Sequence, residues 1–421
     1  MASYLIEGGN RLFGSVSISG NKNSILPCMA AALLTSDEVI LRNVPQISDV
    51  SIMVLLMQQL GAEVEVGDHF LKITTPNIKT SKLSEDLVNK LRASILLAGP
   101  LLARSKKVEF SHPGGDIIGQ RSIETHLAGF KQLGFSISVS DRDYKIKGGI
   151  DSKEKIFFMD EPSVTATENL ILTCSLNEGK IILKNCASEP HIVDLCNLLK
   201  KMGVKFSGIG TNNLTIEGAK KLSGAEFSVG SDFVEFGTYV VAAAITKGEI
   251  KLYNCPLENL EPITHPLKKM GVKFQENSDG SVSVSSQNLV AIPKLITNIW
   301  PGFPTDLMSA LIVLATQAKG VSLMHDWMYE SRMFFVDKLI NMGANITISD
   351  PHRVLVYGPT KLHARELETP DIRAGMALVL AALVAKGTSV INRAELIERG
   401  YEDVTNNLAK LGAKIQKLDA S

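Results

Sequence analysis

LKKMGVKFS at residues 199–207 returns as LKKMGVKFQ at 267–275, and this near-identity governs how the whole chain is read. Four looser copies follow the same pattern: LMQQLGAEVEV (56–66), FKQLGFSIS (130–138), LINMGANIT (339–347) and LAKLGAKIQ (408–416). Each reads as the end of an amphipathic helix, then a glycine, then a short alternating strand. The glycines are Gly61, Gly134, Gly203, Gly271, Gly343 and Gly412, a period of about 70 residues. Glycine after the last apolar turn of a helix takes the left-handed conformation that caps it, and the alternation beyond it marks a half-buried strand.

A second phrase lies between these copies. It is a helix dense in Ala, Leu, Ile and Ser, a turn of small residues, and a strand. The copies are NSILPCMAAALLTSDEVILRN (23–43), RASILLAGPLLARSKKVEFS (92–111), TENLILTCSLNEGKIILKN (167–185), GTYVVAAAITKGEIKLYN (237–254), LMSALIVLATQAKGVSLMH (307–325) and AGMALVLAALVAKGTSVIN (374–392). Helices apolar nearly all round are buried on every side. Each unit therefore offers an outer amphipathic helix, a buried inner helix and about four strands.

Six such units in 421 residues exceed one core, so three plus three in two similar α/β domains is the economical arrangement. The chain is expected to cross between domains near residues 229–231. That assigns 22–229 to one domain, and 1–21 with 230–421 to the other. Lys+Arg and Asp+Glu both total 44, so no global field favours nucleic acid or an anionic membrane. The five cysteines show no metal or redox spacing and read as buried thiols of a reducing compartment. The start MASYLIEGGNRLFG has no basic, then apolar, leader pattern, and the apolar run 376–385 is far short of a membrane span. A soluble, cytoplasmic protein is expected.

The starts of the inner helices carry the chemistry. They hold Lys22 with Asn23, Arg92, Ser163 with Val164 and Thr165, Glu235, Asp306, and Asp371 with Arg373. Ordinary N-capping accounts for Ser163, Asp306 and Asp371. It does not account for Lys22, Arg92 and Arg373, because a cation opposes the dipole at a helix N-terminus. Three cations at that end of equivalent helices point to a bound polyanion carrying phosphate or carboxylate.

GNKNSILP, LRASILLAGPLLAR, PGGDIIGQR, SVTATENLIL, PGFPTDLMSAL, MYESRMFF, PDIRAGMALVLAAL and IERGYED together resemble the enolpyruvyl transferases, over a span from about Leu5 to the last strand. The resemblance implies an inside-out α/β barrel in each of two domains. Each domain would hold three βαβαββ units around buried parallel helices, with the active site in the interdomain cleft. It implies transfer of the enolpyruvyl group of phosphoenolpyruvate to the 3-hydroxyl of UDP-N-acetylglucosamine, with release of phosphate. No metal or organic cofactor is implied; a monomer or weak oligomer is expected.

Residue by residue, the resemblance implies that Lys22 contacts phosphoenolpyruvate and Asn23 the sugar. Arg92, Arg121 and Arg399 would surround phosphate and carboxylate, which suit bidentate guanidinium geometry. Asp306 would accept the sugar-hydroxyl proton. Asp371 and Arg373 would stand near the reacting centre, with Asp371 orienting Arg399 or moving a proton. Arg332 would close over the ligand, and Met328, Ser122, Glu124, Ser163, Val164 and Thr165 would meet the nucleotide sugar. The stretch SHPGGDIIGQRSIETH (111–126) would be a hinged catalytic loop carrying Asp116 and Arg121.

Four departures bear on activity. Asp116 stands where most of the family has cysteine, so fosfomycin, which alkylates that thiolate, is expected to fail. Ser122, with Glu124 and Thr125, replaces a Pro and an Asp-Leu pair; Thr165 replaces a glycine; Phe233 replaces an arginine. The last three lie on the acceptor side, which keeps two alternatives open: another uridine-nucleotide acceptor, and a homologue that binds a nucleotide sugar without catalysis. The shikimate-pathway transferase shares the architecture, but its Lys-Ser start and Gly-Asn-Ser-Gly-Thr segment are missing.

Overall fold

The computed structural model describes residues 2–116 and 118–419; Ile117, inside the loop expected at 111–126, lies outside the described residues. The chain divides into two compact units, one of residues 1–19, 116–121 and 231–421, the other of residues 20–115 and 122–230. The six residues from Asp116 to Arg121 group with the first unit, whereas the sequence assigned the whole loop to the domain of 22–229.

Six sheets correspond to the six repeats. All six repeat glycines have positive φ, from +87° at Gly412 to +117° at Gly203, as the helix-ending role requires. A complete repeat runs strand, inner helix, strand, outer helix, strand, strand. In one, Lys294–Ile296 pairs parallel to Gly320–His325, which pairs antiparallel to Arg353–Gly358, with Asn345–Asp350 at the edge. The parallel pair needs a crossover, and the inner helix Met308–Gln317 supplies it. The repeat containing Lys107–Ser111 has only three strands; a single bridge from Lys82 to Glu109 stands where the others have a parallel strand.

Each unit closes on itself with a strand from a distant part of the chain. The N-terminal strand Ala2–Glu7 lies between Thr388–Asn392 and Lys414–Asp419, antiparallel to both. In the other unit Ala225–Ser228 pairs parallel with Val39–Arg42. These closures were not legible in the repeat.

The inner helices pack against one another within each unit: Phe233–Ile245, Met308–Gln317 and Ile372–Val384 in one, Lys22–Ala32, Ala98–Ser105 and Val164–Cys174 in the other. All thirteen residues of Phe233–Ile245 are buried, which accounts for its lack of a polar face. Each large side chain so buried contributes about 1.5–3 kcal/mol. Gly99 permits a close approach of two inner helices, since a Cβ there would stand 2.8 Å from the Asn169 carbonyl oxygen and 2.8 Å from Leu172 Cβ. Its amide instead donates to Asn169 Oδ1 at 2.7 Å.

Three inner helices are capped by side chains. Asn21 accepts from the amides of Asn23 and Ser24, Asp232 from Val234 and Glu235, and Asp371 from Arg373 and Ala374. Capping was correctly read at Asp371 and missed at Asn21 and Asp232. Ser163 occupies the cap position with no side-chain cap bond, and Asp306 sits inside a 3₁₀ turn, Thr305–Leu307, rather than at a cap position. Both depart from the capping expectation. Arg92 likewise starts a 3₁₀ stretch, Arg92–Leu97, ahead of the α-helix.

Glu235 is one of several buried acids in its unit, accepting from the Ser19 amide at 2.7 Å and facing Ser19 Oγ at 3.3 Å. Burial, then the charges of Asp232 and Glu402, push its carboxyl up to about 8 against the pull of the Ser19 bonds. The folded state therefore keeps a proton that the unfolded chain releases near its ordinary value of 4.5. Stability contributed by this group is full below that value and declines as pH rises towards 8. Melting curves between pH 5 and pH 8 are expected to fall less steeply for Glu235→Gln than for the parent.

Candidate active site

In the first unit, three carboxylates and three guanidinium groups assemble from distant segments. Asp306 is held from two sides. Its Oδ1 accepts from Arg332 Nη2 at 3.0 Å, and its Oδ2 from Arg373 Nε and Nη2 at 3.1 Å each. Both arginines are nearly inaccessible, at 2% and 6% exposure of their side chains, so burial makes these pairs depend on one another. Asp371 reaches to within 4.0 Å of Arg332 Nη1 while capping the helix Ile372–Val384. Asp116 pairs with Arg399 Nη1 at 2.8 Å.

The fold explains why these groups meet. Asp306 precedes one inner helix, Asp371 and Arg373 open another, and Arg399 ends the 3₁₀ turn Ala394–Arg399. Asp326, fully buried, organises the loop between them: it accepts from the Thr305 hydroxyl, next to Asp306, and from the Met328 amide at 3.0 Å. Sequence reading missed Asp326, and only its place at the end of a strand hinted at it. Met328 is half-buried in that loop. Arg121 has φ +40°, a left-handed conformation that costs a non-glycine residue free energy. Its charge acts on Tyr329.

Electrostatics follow the geometry. Burial raises the Asp371 carboxyl; Arg332 and the amides of Ala374 and Arg373 oppose this, and Asp116 adds to it. Burial disfavours the Arg373 charge, but Tyr401, Asp306 and Asp232 raise the guanidinium above its ordinary value. That guanidinium lies over the Tyr401 ring at 5.1 Å. Among the described residues, Arg332 Nε and Arg373 Nη1 are buried donors without a hydrogen-bond partner. Unpaired buried N–H groups are costly, and an anionic ligand is one strong way to satisfy them.

The Tyr401 hydroxyl lies 3.1 Å from Thr238 Oγ1, whose own hydrogen goes to the Val234 carbonyl at 2.8 Å, so tyrosine is the donor. Tyr401→Phe keeps the ring beneath Arg373 and is expected to cost about 1 kcal/mol in urea unfolding. Tyr401→Ala also removes the ring and should cost about 3–5 kcal/mol.

The second unit gathers another set. Lys22 Nζ pairs with Asp49 at 2.7 Å, and Asp49, in the first turn of the outer helix Ser48–Leu60, is almost fully buried. The cation at this helix start is thus balanced from within, a partner the sequence reading did not supply. Asn23 is half-buried beside it. Arg92 donates to the Pro113 carbonyl at 3.3 Å and to the Ser122 carbonyl at 3.2 Å, which pins the two ends of the loop. Ser122 Oγ accepts from the Glu124 amide at 3.0 Å, opening the helix Glu124–Leu133. Thr125 Oγ1 donates to Glu161 at 2.9 Å. Val164 is the first residue of the helix Val164–Cys174, and Thr165 Oγ1 faces His126 Nε2 at 3.0 Å. No group of three or more potential metal ligands occurs among the described residues. None of their helices is long and apolar enough to cross a membrane.

Comparison with known proteins gives this chemistry a family. The family EPSP synthase (3-phosphoshikimate 1-carboxyvinyltransferase) matches residues 6–408. UDP-N-acetylglucosamine 1-carboxyvinyltransferases of Treponema denticola and Borreliella burgdorferi are 45% and 44% identical to this chain, each alignment covering 99% of both sequences. The chain belongs to the UDP-N-acetylglucosamine 1-carboxyvinyltransferase family. Among solved structures, the enolpyruvyl transferase NikO of Streptomyces tendae superimposes with a TM-score of 0.90 at 22% identity, over 100% of this chain and 99% of that one. EPSP synthase of Acinetobacter baumannii gives 0.76 at 18% identity, over 100% of both chains. These two likenesses concern the fold.

Seen within the UDP-N-acetylglucosamine 1-carboxyvinyltransferase family, Phe233 has a plain packing role. It is buried, with its ring centroid 5.4 Å from that of Trp300. The loop aspartate is likewise accommodated, since Arg399 supplies its counter-charge.

Proposed function

We propose that the chain transfers the enolpyruvyl group of phosphoenolpyruvate to the 3-hydroxyl of UDP-N-acetylglucosamine, a step of peptidoglycan precursor synthesis. The observation that carries this reading is Asp306 clamped between two buried arginines that keep N–H groups unpaired among the described residues. A carboxylate so fixed suits a base, and the spare donors suit a phosphate or carboxylate.

In the proposed reaction C3 of phosphoenolpyruvate gains a proton while the sugar oxygen bonds to C2, its own proton passing to Asp306. The tetrahedral ketal then loses phosphate from C2 and a proton from C3, leaving the enol ether. Asp116 donates the C3 proton or assists product release, and Asp371 orients Arg399 or shuttles a proton. Arg332, Arg373, Arg399 and Arg121 balance the anionic groups, and Lys22 and Arg92 bind phosphoenolpyruvate. Asn23, Ser122, Glu124, Ser163, Val164, Thr165 and Met328 contact the nucleotide sugar. The 44–45% identity to relatives of that name supports the choice of acceptor.

Phosphate release from phosphoenolpyruvate, measured with UDP-N-acetylglucosamine, UMP, shikimate 3-phosphate or no acceptor, tests the reading. Turnover with UDP-N-acetylglucosamine alone is expected. Turnover with UMP instead would reassign the acceptor, and none with any would leave a nucleotide-sugar-binding homologue.

A further inference from the structure

The unit of residues 20–115 and 122–230 contains a buried hydrogen-bond chain that ends at Thr165, one of the residues assigned above to the nucleotide sugar. It begins at Asn169, fully buried on the helix Val164–Cys174. The amide orientation is fixed, because Oδ1 accepts from the Gly99 amide at 2.7 Å and Nδ2 donates to the Ile95 carbonyl at 2.9 Å. The same Nδ2 lies 3.0 Å from His126 Nδ1. An amide nitrogen has only hydrogens to offer, so Nδ1 is the acceptor and the ring proton resides on Nε2. Nε2 then donates to Thr165 Oγ1 at 3.0 Å. Burial, reinforced by the charge of Arg92, lowers the imidazole to about 3 and keeps this ring neutral.

A hydroxyl that accepts from imidazole still has its own hydrogen to give. Nearby threonines on the same helix use theirs on the preceding turn: Thr167 donates to the Ser163 carbonyl at 2.8 Å and Thr173 to the Asn169 carbonyl at 2.7 Å. Thr165 makes no further hydrogen bond among the described residues. It is half-buried, in the first turn of its helix, where the backbone N–H groups also present positive charge.

We propose that Thr165 determines acceptor specificity by donating its hydroxyl hydrogen to an anionic oxygen of the acceptor, and that His126 is the positioning residue that imposes this polarity. The proposal rests on the function given above. It assigns a purpose to a side chain that stands where the family resemblance has glycine. His126 touches no substrate in this scheme and acts only through Thr165.

Steady-state kinetics of Thr165→Val, which keeps the shape and loses the hydroxyl, provide the test. KM for UDP-N-acetylglucosamine should rise about tenfold, the scale of one hydrogen bond to a charged group, while kcat and KM for phosphoenolpyruvate stay within about twofold. Thr165→Ser should restore the parent value. His126→Phe should raise the same KM, yet add nothing in combination with Thr165→Val. An unchanged KM in Thr165→Val, or a fall in kcat alone, overturns the proposal, as does failure of serine to rescue. Should the parent protein show no turnover, the functional reading fails first, and equilibrium binding of UDP-N-acetylglucosamine decides the remainder. Tenfold weaker binding by Thr165→Val supports the proposal; equal binding, or none by the parent protein, overturns it.

Discussion

Asp306→Asn is expected to lower kcat for phosphate release by about 10²–10⁴, the usual contribution of a positioned general base. The amide keeps the size of the side chain and can still accept one hydrogen bond, but it cannot take the sugar-hydroxyl proton. Asp306→Ala should add a second, separable loss. It strips the shared carboxylate from Arg332 and Arg373, whose side chains are 2% and 6% exposed, and breaking a buried ion pair costs about 3–5 kcal/mol. Denaturant unfolding of the two variants divides chemistry from scaffolding: asparagine should impair turnover more than stability, and alanine should impair both. A kcat within threefold of the parent in Asp306→Asn would remove Asp306 from the role of base.

The second large effect concerns position 116. Asp116 carries no thiol, so incubation with fosfomycin should leave activity intact and add no mass to the protein. In Asp116→Cys the new sulfur would stand near Arg399, which lies 2.8 Å from the present carboxylate, and a neighbouring guanidinium favours thiolate. Complete, irreversible inactivation is expected, with one adduct per chain. Thiolate attack on the epoxide forms the C–S bond and opens the C–O bond, and the resulting alkoxide takes a proton from solvent. The native cysteines provide an internal control. Cys28, Cys174, Cys186 and Cys196 are buried, and burial pushes the half-buried Cys255 up to about 11. Peptide mapping should therefore place the adduct at position 116. An adduct on Asp116 of the parent protein would overturn this expectation.

The helices, the glycines that end them and the six-fold count were legible in the sequence because they rest on local chemistry. Periodicity reports burial, and a left-handed residue reports a helix end. Asp306, Asp371 and Arg373 were legible as residues at inner-helix starts, and their family roles came from the motif resemblance. Their actual partners were not legible, since Arg332 reaches Asp306 from a loop, and Arg399 reaches Asp116 across 283 positions. Lys22 reads as an unbalanced cation because Asp49 looks like any acid in the first turn of an outer helix. Thr165 reads only as a replacement for glycine until His126, on another helix, is seen to engage its hydroxyl. Ion pairs and hydrogen-bond polarity are tertiary facts, and repeat periodicity carries no record of them.

The strand closures have a consequence for synthesis on the ribosome. Residues 20–230 contain every strand of their three sheets, so that unit has all its parts once residue 230 has emerged. The first strand, Ala2–Glu7, must wait for Thr388–Asn392 and Lys414–Asp419. At about 5–20 residues per second the delay is on the order of 20–80 s, during which an apolar strand has no partner. Nascent-chain capture should find this N-terminal segment bound by chaperones long after the middle of the chain has become protease-resistant. Fusion partners or truncations at the extreme N-terminus should, for the same reason, impair the last stage of maturation more than the first.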